Sequence, residues 1–379
     1  MRRLPSSVFF YILNGMDNVF SSRLAAVEKA LDDALPLRIN TQWRTDSFGS
    51  IPGDVRNEHL QCLTAPCKDL ITLGGKRWRP LLLVLCAENA RSKHGAAALL
   101  SADDTYRITP LVEFVHTASL IHDDIEDDSD TRRGKPAAYV AYGLDTALNA
   151  ASWLYFEAPV CIDRLAAAPA DREKFYALYA RELRRLHLGQ AMDIYWHRQP
   201  ELFPEVSEYT AMVRCKTGTL ASLAAQAGIL AGGGTDDEAE RAGAVAAEIG
   251  EGFQVLDDVQ NLTTGNPGKK RGDDVVEGKK SLPVLLHVKS HPQDKKLIAS
   301  YFAQARKDGI DSPAVEQCIS LLTHSGAVDE AFSYGKNLAA EKSRELAGLY
   351  DASCSGEAAA LIISLFDSMT AKQEVHHAQ

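Results

Sequence analysis

The sequence predicts an all-α protein. Three observations carry that prediction. Apolar positions recur with helical spacing along most of the chain, Ala and Leu abound, and strand-like alternation with Asn-Gly or Asp-Gly turns is almost absent. The 379 residues are 45% hydrophobic and 24% charged, so there is apolar material for a sizeable core and no bias towards disorder.

The elements follow in order. Met1-Arg2-Arg3 runs into Val8–Leu13, an apolar stretch that Asn14 and Asp17 close without a clear cleavage site. It is read as the start of a helix rather than a signal peptide. Helical periodicity then covers 19–35, while 36–57 is polar and irregular and is expected to be a mobile connection. Residues 1–60 are therefore assigned to an N-terminal helical extension and 61–379 to one helical domain. Gly74-Gly75 precedes a helix over 80–100, and 110–127 is the next, closed by Gly134-Lys135-Pro136. Helical patterns continue over 139–165, 172–196 and 206–230. Gly232-Gly233-Gly234 links the last of these to 237–261. Thr263 to Gly278 is rich in Gly, Asp and Lys and reads as a long surface loop, a class often tied to function. Further helices are expected over 281–302 and beyond 311.

A net charge of −10 argues against nucleic acid as the main partner, since phosphate backbones select a basic surface. It leaves room for phosphorylated small molecules, which need only a local basic cluster or a metal. The seven scattered cysteines show no CxxC pair and read as free thiols of a reducing compartment, so a cytoplasmic location is expected. No run approaches the ~20 apolar residues of a membrane span.

Two acidic clusters carry the chemistry. In a helix over 116–127, His116, Leu120, Asp123 and Asp127 share one face, so two carboxylates project together from successive turns. They repel each other unless a cation bridges them. Few, hard oxygen ligands suit Mg2+, which takes one or two carboxylates plus phosphate oxygens and water. Asp124 lies beside them, and Arg132-Arg133 follows as a natural phosphate clamp. Taken alone, such a run is more often a solvated helix end. Here it emerges from Leu111, Val112, Phe114 and Val115, an apolar segment. The second cluster places Gln254, Asp257, Asp258 and Asn261 on one face, followed by the basic loop Lys269-Lys270-Arg271.

Three weaker features accompany them. Gly74-Gly75-Lys76-Arg77-Trp78-Arg79-Pro80 puts three cations in four residues beside flexible glycines, an anion site or a basic turn. Gln190 and Asp193 can share a helix face. Lys216-Thr217 sits in an apolar stretch, where an unpaired lysine is costly and an anion beside it is expected.

These elements, in this order, resemble the trans-isoprenyl diphosphate synthases, the polyprenyl synthetase family. Gly-Gly-Lys-Arg-Trp-Arg-Pro, the Asp-Asp-x-x-Asp of Asp123, Asp124 and Asp127 with Arg132-Arg133-Gly134, Gly189-Gln190-x-x-Asp193, Lys216-Thr217 and Phe253-Gln254-x-x-Asp257-Asp258 cover about residues 70 to 285. The resemblance implies a large helical bundle around a central cavity, usually a homodimer, with three Mg2+ ions when substrate is bound. It implies that Asp123, Asp127 and Asp257 are the metal ligands. Arg132, Lys216 and Lys270 contact an allylic diphosphate, and Lys76, Arg79, His116 and Arg133 bind isopentenyl diphosphate. Thr217 and Gln254 lie near the forming carbocation, and Asp124 completes the catalytic acidic motif. The implied reaction is Mg2+-assisted ionisation, condensation and elimination.

Asn261 stands where most members have Asp, a variant similar to that of eukaryotic-type geranylgeranyl diphosphate synthases. Ala118-Ser119-Leu120 and Gly-Gln-x-x-Asp-Ile-Tyr-Trp also look like that subgroup, while His122 is commoner in bacterial members. Ala118, five before Asp123, replaces the bulky aromatic that stops growth at fifteen carbons. A twenty-carbon product is therefore expected, with longer-chain or farnesyl synthases as alternatives. Trp153, Tyr155 and Phe156 are candidates for the stop. Rival classes are a terpene cyclase, which would not need a second diphosphate site, and a non-catalytic partner subunit, which commonly loses motif residues.

Overall fold

The computed structural model of the chain describes residues 18–265, 270–350 and 352–377. The expected helix start at Val8–Leu13, and part of the loop ahead of Lys270, lie outside them.

Helices dominate, as expected. In order they are α1 (Asn18–Ala34), α2 (Thr41–Phe48), α3 (Asn57–Thr72), α4 (Trp78–His94), α5 (Ala102–Arg107) and α6 (Pro110–Glu126). A two-residue ladder, β1 (Thr131–Arg132) with β2 (Lys135–Pro136), then precedes α7 (Ala138–Tyr142), α8 (Leu144–Glu157), α9 (Val160–Asp163) and α10 (Pro169–His197). Next come α11 (Val206–Val213), a π-helical turn (Arg214–Gly218), α12 (Thr219–Ala231), α13 (Asp236–Thr263), α14 (Asp273–Glu277) and α15 (Leu282–Ser290). The last are α16 (Lys295–Asp308), α17 (Pro313–His324), α18 (Ala327–Ala347) and α19 (Glu357–His377). No helix of the described residues is long and apolar enough to cross a membrane.

The chain divides into two compact units. One holds Met1–Tyr179 with Ala224–Ala239, the other Ala180–Leu223 with Glu240–Gln379. In the first, α4 and α6 are largely buried. Leu81 through Leu85 are all buried, so α4 is surrounded rather than amphipathic. In the second, Trp196, Tyr209, Val255, Val259, Leu285, Phe302 and Leu322 form one continuous core.

Several boundaries differ from the sequence reading. The supposedly mobile 36–57 contains α2, capped by the Asn40 side chain, which accepts from the Trp43 amide at 2.8 Å. Trp43 is buried, and its ring meets Phe48 and Trp153 edge-on, while Phe48 stacks on Trp153. Three aromatics compensate for a polar composition, so the segment is ordered by tertiary packing. The expected 139–165 helix is three pieces, interrupted at Gly143 (φ 91°) and around Pro159. The expected 281–302 helix breaks at His291-Pro292. Helix α3 was not anticipated, and it carries Pro66 within it.

Candidate active site

In the first unit, the acidic motif sits at the carboxyl end of α6. Pro110 opens the helix at a position that needs no amide donor. It ends in a Schellman arrangement: the Asp127 amide donates to Asp123 O at 2.9 Å and the Ser129 amide to Asp124 O at 2.8 Å, with Asp128 left-handed at φ 54°. Asp123, Asp124 and Asp127 thus crowd the negative end of the helix dipole, which is destabilising without nearby cations.

The three carboxylates have different fates. Asp124 is buried and pinned by Arg132, whose Nε donates to Oδ1 at 2.8 Å and whose Nη2 also donates. Burial alone would lower the Arg132 pKa. The hydrogen bond and charge of Asp124, with the charges of Asp123 and Asp127, raise it instead. Asp123 and Asp127 are half-buried on the helix face, with Arg132 Nη2 3.9 Å from Asp123 Oδ2. The turn that delivers Arg132 is a two-residue hairpin. Thr131 pairs with Pro136 and Arg132 with Lys135, leaving Arg133 (φ 53°) and Gly134 (φ 73°) both left-handed, as a type I′ turn requires. Arg133 Nη1 donates to Gly74 O, and its guanidinium lies so near Gly75 that an added Cβ there would be 3.2 Å from Nη2.

The basic patch splits. Lys76 is exposed, and half-buried Arg79 stacks on the Trp78 ring at 4.4 Å. Arg77, expected to join them in an anion site, is buried between Glu28 and Glu113 and is removed from it. His116 lies among Arg79, Arg133, Arg77 and Arg132. Desolvation first, then those four cations, holds its pKa well below the usual imidazole value. It is a neutral ring in a basic cluster.

In the second unit, Lys216 and Thr217 lie within the π-helical turn Arg214–Gly218, a widening frequent at functional sites. Close glycine contacts hold that turn. A Cβ on Gly189 would be 2.3 Å from the Lys216 amide nitrogen, and one on Gly218 would be 2.7 Å from Ala247 O. The anion expected beside Lys216 belongs to the chain itself: its Nζ pairs with Asp193 Oδ2 at 2.6 Å. Thr217 Oγ1 donates to Gln254 Oε1 at 2.8 Å, and Gln254 Nε2 donates to Asp258 Oδ1 at 3.0 Å. Asp258 also accepts from Tyr209 Oη at 2.6 Å and the Leu282 amide at 3.3 Å. Burial nevertheless pushes its carboxyl up to about 6. Asp257, its neighbour, is exposed.

Asn261 is fully buried, and its Oδ1 accepts from the Asp274 amide at 3.2 Å while its carbonyl accepts from Gly272 at 2.9 Å. It therefore fastens the loop after α13. Lys270 is exposed at the start of that fastened turn, its amide donating to Asp273 Oδ2 at 2.7 Å. Residues missed from sequence include Arg214 and Glu251. Arg214 Nε pairs with buried Glu251 Oε2 at 2.6 Å, tying the π-turn to α13. Their spacing of 37 residues gave no signal.

Among the described residues no three His, Cys, Asp or Glu side chains converge into a metal cage. The donor set instead offers one or two outward carboxylates per unit, each beside an inward, pinned one.

A polyprenyl synthetase family model matches residues 60–322. A geranylgeranyl pyrophosphate synthase of Macrophomina phaseolina is 33% identical over 291 residues, 76% of this chain and 83% of that protein. A geranylgeranyl diphosphate synthase of Methanosarcina mazei is 34% identical over 276 residues, 71% of this chain and 77% of that protein. Among solved structures, a polyprenyl synthase from Caulobacter crescentus, complexed with calcium and isoprenyl diphosphate, superposes with a TM-score of 0.73 at 24% identity, covering 98% of this chain and all (100%) of that one. A geranylgeranyl pyrophosphate synthetase from Pyrococcus horikoshii gives 0.74 at 22% identity, covering 96% of this chain and 98% of that one. At such identities the structures establish the fold alone.

Proposed function

Given that the chain belongs to the polyprenyl synthetase family and is a prenyltransferase, we propose that it condenses isopentenyl diphosphate with allylic diphosphates and releases geranylgeranyl diphosphate. One observation carries this reading. Each unit presents a solvent-reachable carboxylate, half-buried Asp123 or exposed Asp257, next to a buried one, Asp124 or Asp258, held by donors from the chain.

Asp123, Asp127 and Asp257 are the ligands for Mg2+, with three ions taken up alongside substrate. Hard oxygens few in number fit an ion that draws its remaining ligands from diphosphate and water. Bound there, Mg2+ supplies charge neutralisation at the departing diphosphate. Arg132, Lys216 and Lys270 add cationic donors to the allylic diphosphate. Lys76, Arg79 and Arg133 hold isopentenyl diphosphate, and neutral His116 offers one N–H to it. The allylic C–O bond ionises, the isopentenyl double bond forms the new C–C bond, and the proton lost leaves with the released diphosphate. Thr217 and Gln254, whose amide is fixed between Thr217 Oγ1 and Asp258, lie near the forming carbocation.

Chain length rests on Ala118, which is fully buried and has no aromatic bulk. Of the aromatics considered as the stop, Phe156 is 79% exposed and Tyr155 is buried against His122, so Tyr155 is the better placed. A homodimer is supported by the exposed stripe Leu144, Leu148 and Phe156 on α8, at helical spacing. Sedimentation as a monomer would contradict it. The free thiols fit a cytoplasmic location.

Product analysis with labelled isopentenyl diphosphate tests the length assignment. The wild type should make the twenty-carbon product, and Ala118→Phe should shift it to fifteen carbons. A thirty-carbon or longer main product, or no shift in the variant, would overturn it.

A further inference from the structure

The geometry points to the amino-terminal helix as a working part of the diphosphate-binding face, with Glu28 and Arg77 as positioning residues for Lys76 and Arg79. The inference rests on the reading of Lys76 and Arg79 as isopentenyl diphosphate contacts. Helix α1 lies outside the family match over 60–322. It is nevertheless built into the first unit. Phe20, Val27 and Leu31 are buried, and among the described residues ion pairs leave it from Arg23 to Glu88 at 2.9 Å, from Asp32 to Lys68 at 2.6 Å and from Glu28 to Arg77 at 2.7 Å.

The third pair differs from the others. Arg77 is 4% exposed and lies in sequence between exposed Lys76 and half-buried Arg79. Its guanidinium is saturated in three directions: Nε to Glu28 at 2.7 Å, Nη1 to Glu113 at 2.5 Å, and Nη2 to Ile71 O at 2.6 Å. Its backbone is left-handed, at φ 47°, at the position that opens α4. A non-glycine residue holds that conformation only when its surroundings over-determine it. The anchored side chain supplies the constraint. The turn it enforces sends Lys76 to solvent and sets Arg79 on the Trp78 ring.

Glu113 lies one turn before His116 on α6. One guanidinium therefore ties the helix that carries the acidic motif, the basic loop and the amino-terminal helix into a single frame. Neutralising Glu28 leaves Arg77 with one carboxylate and frees the turn to relax.

The test separates positioning from docking. Glu28→Gln and, as a control on the same helix, Asp32→Asn are compared with the wild type in steady-state elongation with Mg2+. Each substrate is varied in turn, and thermal unfolding checks the fold. Glu28→Gln should raise the KM for isopentenyl diphosphate about tenfold, as loss of one charged hydrogen bond predicts. It should leave kcat and the allylic KM within about twofold. Asp32→Asn should leave all three near wild type. Equal effects of the two variants, or an unchanged KM in Glu28→Gln, would overturn the inference. Calorimetric titration with inorganic diphosphate, without Mg2+, reads the same site apart from turnover. About tenfold weaker binding by Glu28→Gln, at the charged-bond scale, supports the positioning role even if the wild type fails to elongate, and equal binding contradicts it. Failure of wild-type elongation alone would count against the proposed reaction. Should Glu28→Gln not fold, Glu28→Asp, which keeps the charge on a shorter arm, is expected to raise the same KM by a smaller factor, and no rise would overturn the inference.

Discussion

The two acidic motifs look alike in sequence and are built differently. In the first, the inward Asp124 is matched by a full positive charge, Arg132, delivered by a hairpin turn. In the second, the inward Asp258 accepts, among the described residues, from the neutral donors of Tyr209, Gln254 and the Leu282 amide. The fifth position diverges further. Asp127 stays a carboxylate at the end of α6, while Asn261 turns inward and fastens the following loop. A neutral side chain suits that buried role, because burying a carboxylate costs far more than burying an amide. The second motif has exchanged one outward charge for a structural clasp.

Substituting the inward residues probes this contrast most strongly. Asp124→Asn strips Arg132 of its buried counter-charge and should cost about 3 kcal/mol of unfolding free energy, measured by denaturant titration. Asp258→Asn should cost only about 1 kcal/mol at neutral pH, since the donors it faces are neutral. Its pH dependence has a defined sign. Burial raises the Asp258 pKa from 3.8 unfolded to about 6 folded, so its stabilising contribution is full below the lower value and lost as pH rises through the upper one. The stability gap between wild type and Asp258→Asn should therefore narrow between those two pH values. Equal costs for the two variants would erase the distinction between the motifs.

A smaller effect is expected from Asn261→Asp. Restoring the commoner acid keeps an acceptor for the Asp274 amide but buries a charge. Stability at neutral pH should fall by about 1–2 kcal/mol, and activity should not rise. A more active variant would show that the outward charge, rather than the clasp, is what this position supplies.

Much of this was legible in the chain. The periodicity around 116–127 and 253–262 put the carboxylates on helices, and the ordered motifs brought the family. What sequence could not reveal was which way each polar residue turns. Arg77 reads as one of three equivalent cations, and only the fold brings Glu28, 49 residues away, against it. Lys216 demanded an anion, but whether that was substrate or Asp193 depended on how closely Gly189 lets two helices approach. The π-helical turn has no periodic signature, because five residues are too few to shift a helical pattern. Helix α2 failed for the opposite reason: its composition is polar, and three aromatics dispersed in sequence order it.

The most direct measurement is Mg2+-dependent incorporation of labelled isopentenyl diphosphate by the wild type, Asp123→Ala and Asp257→Ala, with dimethylallyl, geranyl and farnesyl diphosphates as primers. The wild type should elongate to twenty carbons. Each variant should lose on the order of a thousandfold or more in kcat/KM, because each removes one of the proposed Mg2+ ligands. Wild-type activity retained by either variant, or no elongation from any primer by a folded wild type, would contradict the account.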